Sequence, residues 1–136
     1  MTSNNPNPLR AHAFGMVGLL TLQYLLGMAT NLFVQFPDGL NEGQSWGYAW
    51  RQPFLALHII IGFSLFLGTV ALIVRSVRAK DRLWTISSGI AGATIFAAMG
   101  AGSLFIPSQR DVYSFVMATC FIIALLAYGW GLYKTK

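Results

Sequence analysis

The sequence predicts an all-α fold: an integral membrane bundle of four transmembrane helices running up-down-up-down. Three observations carry that expectation. Apolar residues make up 55% of the 136 positions and charged residues only 10%. Four long runs lack Asp, Glu, Lys and Arg altogether. Short polar breaks separate those runs. A soluble domain carries about 25% charged residues to cover its surface, so this chain looks to a bilayer as its solvent. The same composition excludes an ordinary soluble globule, a disordered chain and a disulfide scaffold.

The elements follow in order. Residues 1–10, rich in Asn and Pro, read as a disordered cytoplasmic tail, and residues 11–136 as the transmembrane domain. The first run covers residues 11–36, the second 54–74, the third 83–106 and the fourth 112–133. A helix rising 1.5 Å per residue needs roughly 20 residues to cross about 30 Å of hydrocarbon, which each run supplies. The first run is too long for a cleaved signal peptide and lacks a small-residue cleavage pattern. Pro37, Asp38 and Gly39 end it. Pro53 opens the second helix, where its missing N–H costs little. Residues 75–82 form a polar turn, and Pro107 to Asp111 close the third helix. Trp46, Tyr48, Trp50 and Arg51 suit the headgroup zone, as a short interfacial turn that anchors the protein. A substrate lid is the sharper reading of the same residues.

Charge gives the direction. Arg10, Arg75, Arg78, Lys80, Arg82, Lys134 and Lys136 fall on the side of the termini and the middle loop. The other side holds only Arg51 and Arg110, beside Asp38, Glu42 and Asp111. The positive-inside rule then places both termini in the cytoplasm, in a multi-pass protein of the cytoplasmic (inner) membrane. The net charge of +5 is thereby explained without nucleic acid.

Two patterns suggest how the helices pack. Gly89, Ala93, Ala97 and Ala101 are spaced by four, one small-residue face for close helix contact. Gln23, Gly27, Asn31 and Gln35 share that spacing and form a polar stripe on the first helix. Amides are costly against lipid, so the stripe should face the bundle interior or another subunit. It serves interhelical hydrogen bonds or lines a path for a ligand, ion or water.

No catalytic constellation is visible. The spans hold no carboxylate for a proton relay, and the lone Cys120 has no partner and reads as small apolar filler. The group that stands out is His58, inside the second run with Gly62 one turn along. An unpaired imidazole in hydrocarbon is expensive. It is used as a hydrogen bond, to Asn31 or Gln35 in this chain, as a ligand to haem iron, or in another ligand or proton role. Gly62 would leave room for a flat porphyrin. His58 lies about 9 Å outward of its helix midpoint, and His12 about 18 Å inward of its own, so one iron cannot take both. His12 reads as an interfacial residue near Arg10. At the level of His58 lie Thr30, Asn31, Met99 and Met117. Met99 or Met117 would then be the sixth ligand of a haem b, Met99 preferred because Gly100 and Gly102 adjoin it. A homodimer sharing one haem between two copies of His58 is the other route.

The segments Leu22-Gln23-Tyr24-Leu25-Leu26-Gly27 and Leu57-His58-Ile59-Ile60-Ile61-Gly62 resemble the pattern of small bacterial four-helix membrane proteins of unknown function. More distantly they are similar to one half of haem A synthase, two fused four-helix bundles with histidine haem ligands. That resemblance implies a four-helix fold and haem ligation at His58 alone. The second histidine, the extracellular cysteine pair and the first-helix acidic residue of the synthase pattern have no counterpart here, so haem A synthesis is not implied. The expected function is a b-type haem binder for electron transfer or haem handling. The alternatives are a non-catalytic accessory or scaffold subunit of a membrane complex, and a small-solute or lipid-binding bundle lined by Gln23, Asn31 and Gln35.

Overall fold

A computed structural model describes residues 8–135. It contains α1 (Pro8–Phe33), α2 (Glu42–Arg51), α3 (Pro53–Arg78), α4 (Arg82–Ser108) and α5 (Asp111–Lys134). Helices α1, α3, α4 and α5 are each long and apolar enough to cross a membrane. The chain is an all-α bundle and a multi-pass membrane protein. Around the bundle α1 neighbours α3, α3 neighbours α4, α4 neighbours α5, and α5 returns to α1. The α4–α5 pairing is the most extensive and the α5–α1 pairing the sparsest.

The boundaries depart from the apolar runs for physical reasons. Helix α1 begins at Pro8, so residues 8–10 belong to the helix and not to a tail, and Leu9 is buried. The remainder of the Asn- and Pro-rich stretch lies outside the described residues. Proline is at home in a first helical turn. At its other end α1 stops at Phe33, three residues before the apolar run does. Helix α3 continues past Val74 to Arg78, because Arg75 and Arg78 complement the C-terminal dipole and their long stems reach water. Asp81 caps α4, its carboxylate accepting from Trp84 N–H at 3.1 Å. Pro107 sits inside the last turn of α4, and Gln109 ends that helix with a left-handed φ of 52°.

Helix α2 is the element that the sequence reading reduced to a turn. Asn41 accepts from Gln44 N–H at 3.0 Å, and the Gln44 side chain accepts from Asn41 N–H at 3.0 Å. This reciprocal capping box satisfies two donors that otherwise have no intrahelical partner. Ser45 and Ala49, four apart, are buried against the bundle, and Trp50 stays exposed. Tyr48 donates to the Gln35 carbonyl at 2.7 Å and ties α2 to the exit of α1.

The two ends of the bundle pack differently. Toward the termini, Trp84, Tyr128, Leu72, Thr69, Ser87 and Ser88 are fully buried. Tyr128 and Thr69 share a hydrogen bond of 2.7 Å across α5 and α3. Ser87 on α4 donates to the Ala127 carbonyl on α5. A Cβ at Gly131 would stand 2.6 Å from Trp84 Cζ3, so only glycine lets α5 come this close. Toward α2 the helices separate around a cavity.

The small-residue face is a correction. Ala101 is buried, but Ala93 and Ala97 are exposed, and a Cβ at Gly89 would meet nothing within 4 Å. Residues four apart drift about 40° per step around a helix of 3.6 residues per turn, so a long row of them cannot stay on one contact face. The close approach in α4 is instead at Gly92, where a Cβ would stand 3.2 Å from Thr69 and Ile73 of α3.

Candidate functional site

The site begins with the register of α1 against α3. Three glycines set it, each receiving a side chain from the opposite helix. A Cβ at Gly27 would stand 3.1 Å from His58 Cε1, one at Gly62 would stand 3.1 Å from Gln23 Nε2, and one at Gly68 would stand 2.7 Å from Met16 Sδ. Gln23 and His58 thus lie against each other, with Gln23 Nε2 3.2 Å from His58 Nε2. The amide nitrogen donates, which makes Nε2 the lone-pair nitrogen and leaves the ring proton on Nδ1.

That bond uses half of each side chain. Gln23 Oε1 and His58 Nδ1 are buried without a partner, and so is the hydroxyl of Thr30, a residue 9% exposed. A buried polar group without a partner costs about 1–3 kcal/mol. The fourth such atom among the described residues, Trp84 Nε1, belongs to the tight end.

All three orphaned groups belong to residues lining one cavity of about 460 Å³ between α1, α3, α4 and α5. Its walls are mostly apolar and aromatic, and no Asp, Glu, Lys or Arg contributes to them. Trp46 of α2 reaches the wall from the far end. There Ala49, Leu55 and Ile106 form a second small core, joined by Val34, Phe36, Trp46 and Ile59. A volume of this size, mostly apolar with a few converging polar groups, has the character of a small-molecule site.

The residues singled out in the sequence divide as follows. His58, Gly62, Met99, Met117, Gln23 and Asn31 all line the cavity. Gln35 does not: it lies beyond the end of α1, exposed, and uses its backbone carbonyl for Tyr48. Asn31 lines the cavity but is exposed. The expected partner of His58, Asn31 or Gln35, is therefore replaced by Gln23. The charge-free run puts the midpoint of the first helix about three residues too far along, because the helix both starts three residues earlier, at Pro8, and ends three residues earlier, at Phe33. A shift of three residues brings Gly27 level with His58, and Gln23, one turn earlier, reaches the ring with its long side chain. Thr30, which depth alone sets near His58, lines the cavity as well, with its hydroxyl unpartnered. No sequence signal separates it from Thr21, Thr94 and Thr119, whose hydroxyls bond their own i−4 carbonyls.

Two ligand expectations change in detail. Gly62 does make a space, but the Gln23 amide fills it. Met117 Sδ lies where a Cβ on Gly102 would meet it at 3.3 Å, so this sulfur packs against α4. Met99 packs against the main core as well as lining the cavity. Cys120 is buried in the same wall. His12 pairs with Arg75 at 3.1 Å (ring Nδ1 to guanidinium) rather than with Arg10, which donates to the Thr135 carbonyl at 2.7 Å. Among the described residues no three His, Cys, Asp or Glu side chains gather as a metal site would. Comparison of the chain with protein-family models, with curated proteins and with solved structures gave no match.

Proposed function

We propose that this chain is a multi-pass protein of the cytoplasmic membrane, with both termini in the cytoplasm, that holds a small, uncharged, lipophilic molecule in the cavity at its outer end. The observation that carries the reading is the coincidence of three unpartnered polar groups with one apolar cavity. His58 Nδ1–H is an unused donor, Gln23 Oε1 an unused acceptor and the Thr30 hydroxyl takes either role; each lies closed within the wall, His58 Nδ1 beside Gly27, so a guest meets it where the wall gives locally. A guest that satisfies them recovers the cost of their burial, and the Gln23–His58 bond holds both groups in place before it arrives. The orientation rests on the charge asymmetry: Arg75, Arg78, Lys80 and Arg82 cluster at the end away from α2.

A haem b is the competing occupant, supported by Met99, Met117 and His58 lining one cavity. The side chains present fit it less well. Gln23 occupies the space over Gly62 and takes His58 Nε2. No Lys or Arg in the wall would face haem propionates. The His58 ring is turned toward Gly27 of α1, which leaves a haem shared between two copies without support. A scaffold role is the other alternative, favoured by the exposed Ala93 and Ala97 on the outside of α4, where a foreign helix could pack.

One preparation tests these. The protein is purified in mild detergent, its absorption recorded oxidised and dithionite-reduced, and its organic extract analysed by mass spectrometry. The expected result is a stoichiometric lipophilic molecule, absent from the Gln23→Leu/His58→Leu double variant, with no Soret band. A Soret band that sharpens on reduction and vanishes in the variant would replace this reading with the haem one. An extract identical in both proteins, with a partner polypeptide co-purifying, would replace it with the scaffold one.

A further inference from the structure

The wall of the cavity is not equally buried on all sides. On α1, Tyr24, Met28 and Asn31 line the cavity and are also exposed on the outside of the bundle. They are spaced i, i+4, i+7 and so share one face of the helix. On α5, Ser114, Ala118 and Phe121 line the cavity with the same spacing, and Ala118 is exposed. The two faces oppose each other, because Tyr24 stacks on Phe121 with ring centroids 4.9 Å apart. The α1–α5 seam is the sparsest of the four between spanning helices and carries four of the six exposed residues in the wall (Phe63 of α3 and Ser103 of α4 are the others), and this slot is where the cavity reaches the outside of the bundle. The water-facing end is treated differently. There α2 lies across α3 and α4, and Trp46, Leu55, Ile106 and Phe36 close it with an apolar cluster.

A cavity closed toward water and open toward lipid takes its guest from the bilayer. The guest's head must be neutral, because no charged side chain in the wall would compensate an ion. It must carry an acceptor for His58 Nδ1–H and suit walls of Tyr24, Phe121 and Trp46. We infer that the site binds the ring of a lipid-soluble quinone, with a carbonyl accepting from His58 Nδ1–H and its hydrocarbon tail leaving through the slot between α1 and α5. This inference rests on the binding function proposed above. It adds the chemical class of the ligand and the path of its tail.

The test uses the full chain in nanodiscs of quinone-free phosphatidylcholine and two probes, a tail-less methoxybenzoquinone and its decyl derivative. Quenching of Trp46 fluorescence reports occupancy, with Trp46→Phe giving the background. Both probes are expected to bind, and Gln23→Leu/His58→Leu to lose both. Ala118→Phe narrows the slot without touching His58 or Gln23, and should weaken the decyl probe about tenfold or more while leaving the tail-less ring within about twofold. Ala97→Phe, on the exposed face of α4, controls for folding and should change neither. Binding of the ring with loss of the decyl probe in the unaltered protein would overturn the tail path. Displacement of the ring by diacylglycerol, whose ester carbonyls offer the same acceptor, would overturn the quinone class. If neither probe binds while a lipophilic molecule still co-purifies, the quinone inference fails and the binding function stands. If nothing co-purifies either, both fail.

Discussion

The two ends of this bundle are built from the same kinds of residue and reach opposite outcomes. Near the termini, the polar side chains between the helices find partners with the exception of Trp84 Nε1: Thr69 with Tyr128, Ser87 with the Ala127 carbonyl, Ser88 with the Trp84 carbonyl. Near α2, Gln23, His58 and Thr30 keep three buried atoms unmatched around an open volume. In hydrocarbon, where water cannot rescue an unpaired group, the difference separates a region whose polar groups hold the helices together from one that keeps hydrogen-bonding capacity unused. The contrast teaches that a polar residue in a membrane helix is informative by what it leaves unsatisfied.

Substitutions at the two ends should separate these roles. The largest effect is expected at the tight end. Trp84→Ala should cost about 3–5 kcal/mol, read as unfolding in mixed detergent micelles, because Trp84 is fully buried. Gly131→Ala should cost about 1–3 kcal/mol, since its Cβ meets a ring that has no free direction to move. A Gly131→Ala variant as stable as the parent would show that the two ends do not differ in tightness. Tyr128→Phe is a smaller step. It removes the bond to Thr69 but leaves Thr69 bonded to the Leu65 carbonyl, so about 0.6–1.7 kcal/mol is expected.

At the cavity the sign should differ. Gln23→Leu/His58→Leu removes the bond and two of the orphaned atoms together. Stability in the ligand-free state should stay within about 1 kcal/mol of the parent, or rise, while ligand retention is lost. His58→Leu alone strands the whole Gln23 amide and should be the less stable of the two. A double variant destabilised as much as Trp84→Ala would mean that the pair is a structural bond and no binding device. Smallest of all, Ala97→Leu on the lipid-facing side of α4 should shift stability by no more than about 0.5 kcal/mol.

The parts legible in the sequence were those written in long stretches. Four charge-free runs gave four spanning helices, because hydrocarbon thickness demands length and forbids charge. Helix α2 was missed because it is short, polar on average and carries Gly43 and Gly47. Its start was nonetheless present as Asn41 followed three residues later by Gln44. The importance of His58 and Gln23 was visible from residue type alone. Their partnership was not, because it depends on register, and the first helix starts and ends three residues earlier than the charge-free run. The polar stripe failed by the same geometry that dispersed the small-residue row. Between Gln23 and Asn31 the helix turns about 80° away from a fixed line, which carries Asn31 from the α3 side to the open side. The cavity itself is an absence of packing between four helices, and no local pattern encodes it.

The seam between α1 and α5 has one property that the other three seams lack. Each of the others is crossed by covalent chain: residues 34–52 join α1 to α3, residues 79–81 join α3 to α4, and residues 109–110 join α4 to α5. Among the described residues, α1 and α5 are held side by side by packing, with the Arg10 bond to the Thr135 carbonyl at one end. That bond lies at the terminal end, so the pair is fastened at its base and free at its opening, like the two blades of tweezers. Opening there stretches no loop and breaks no turn. Biosynthesis adds a second consequence. Because α5 follows the other three spans in chain order, this seam can close only once α5 is in place, and a guest already dissolved in the bilayer can be enclosed then.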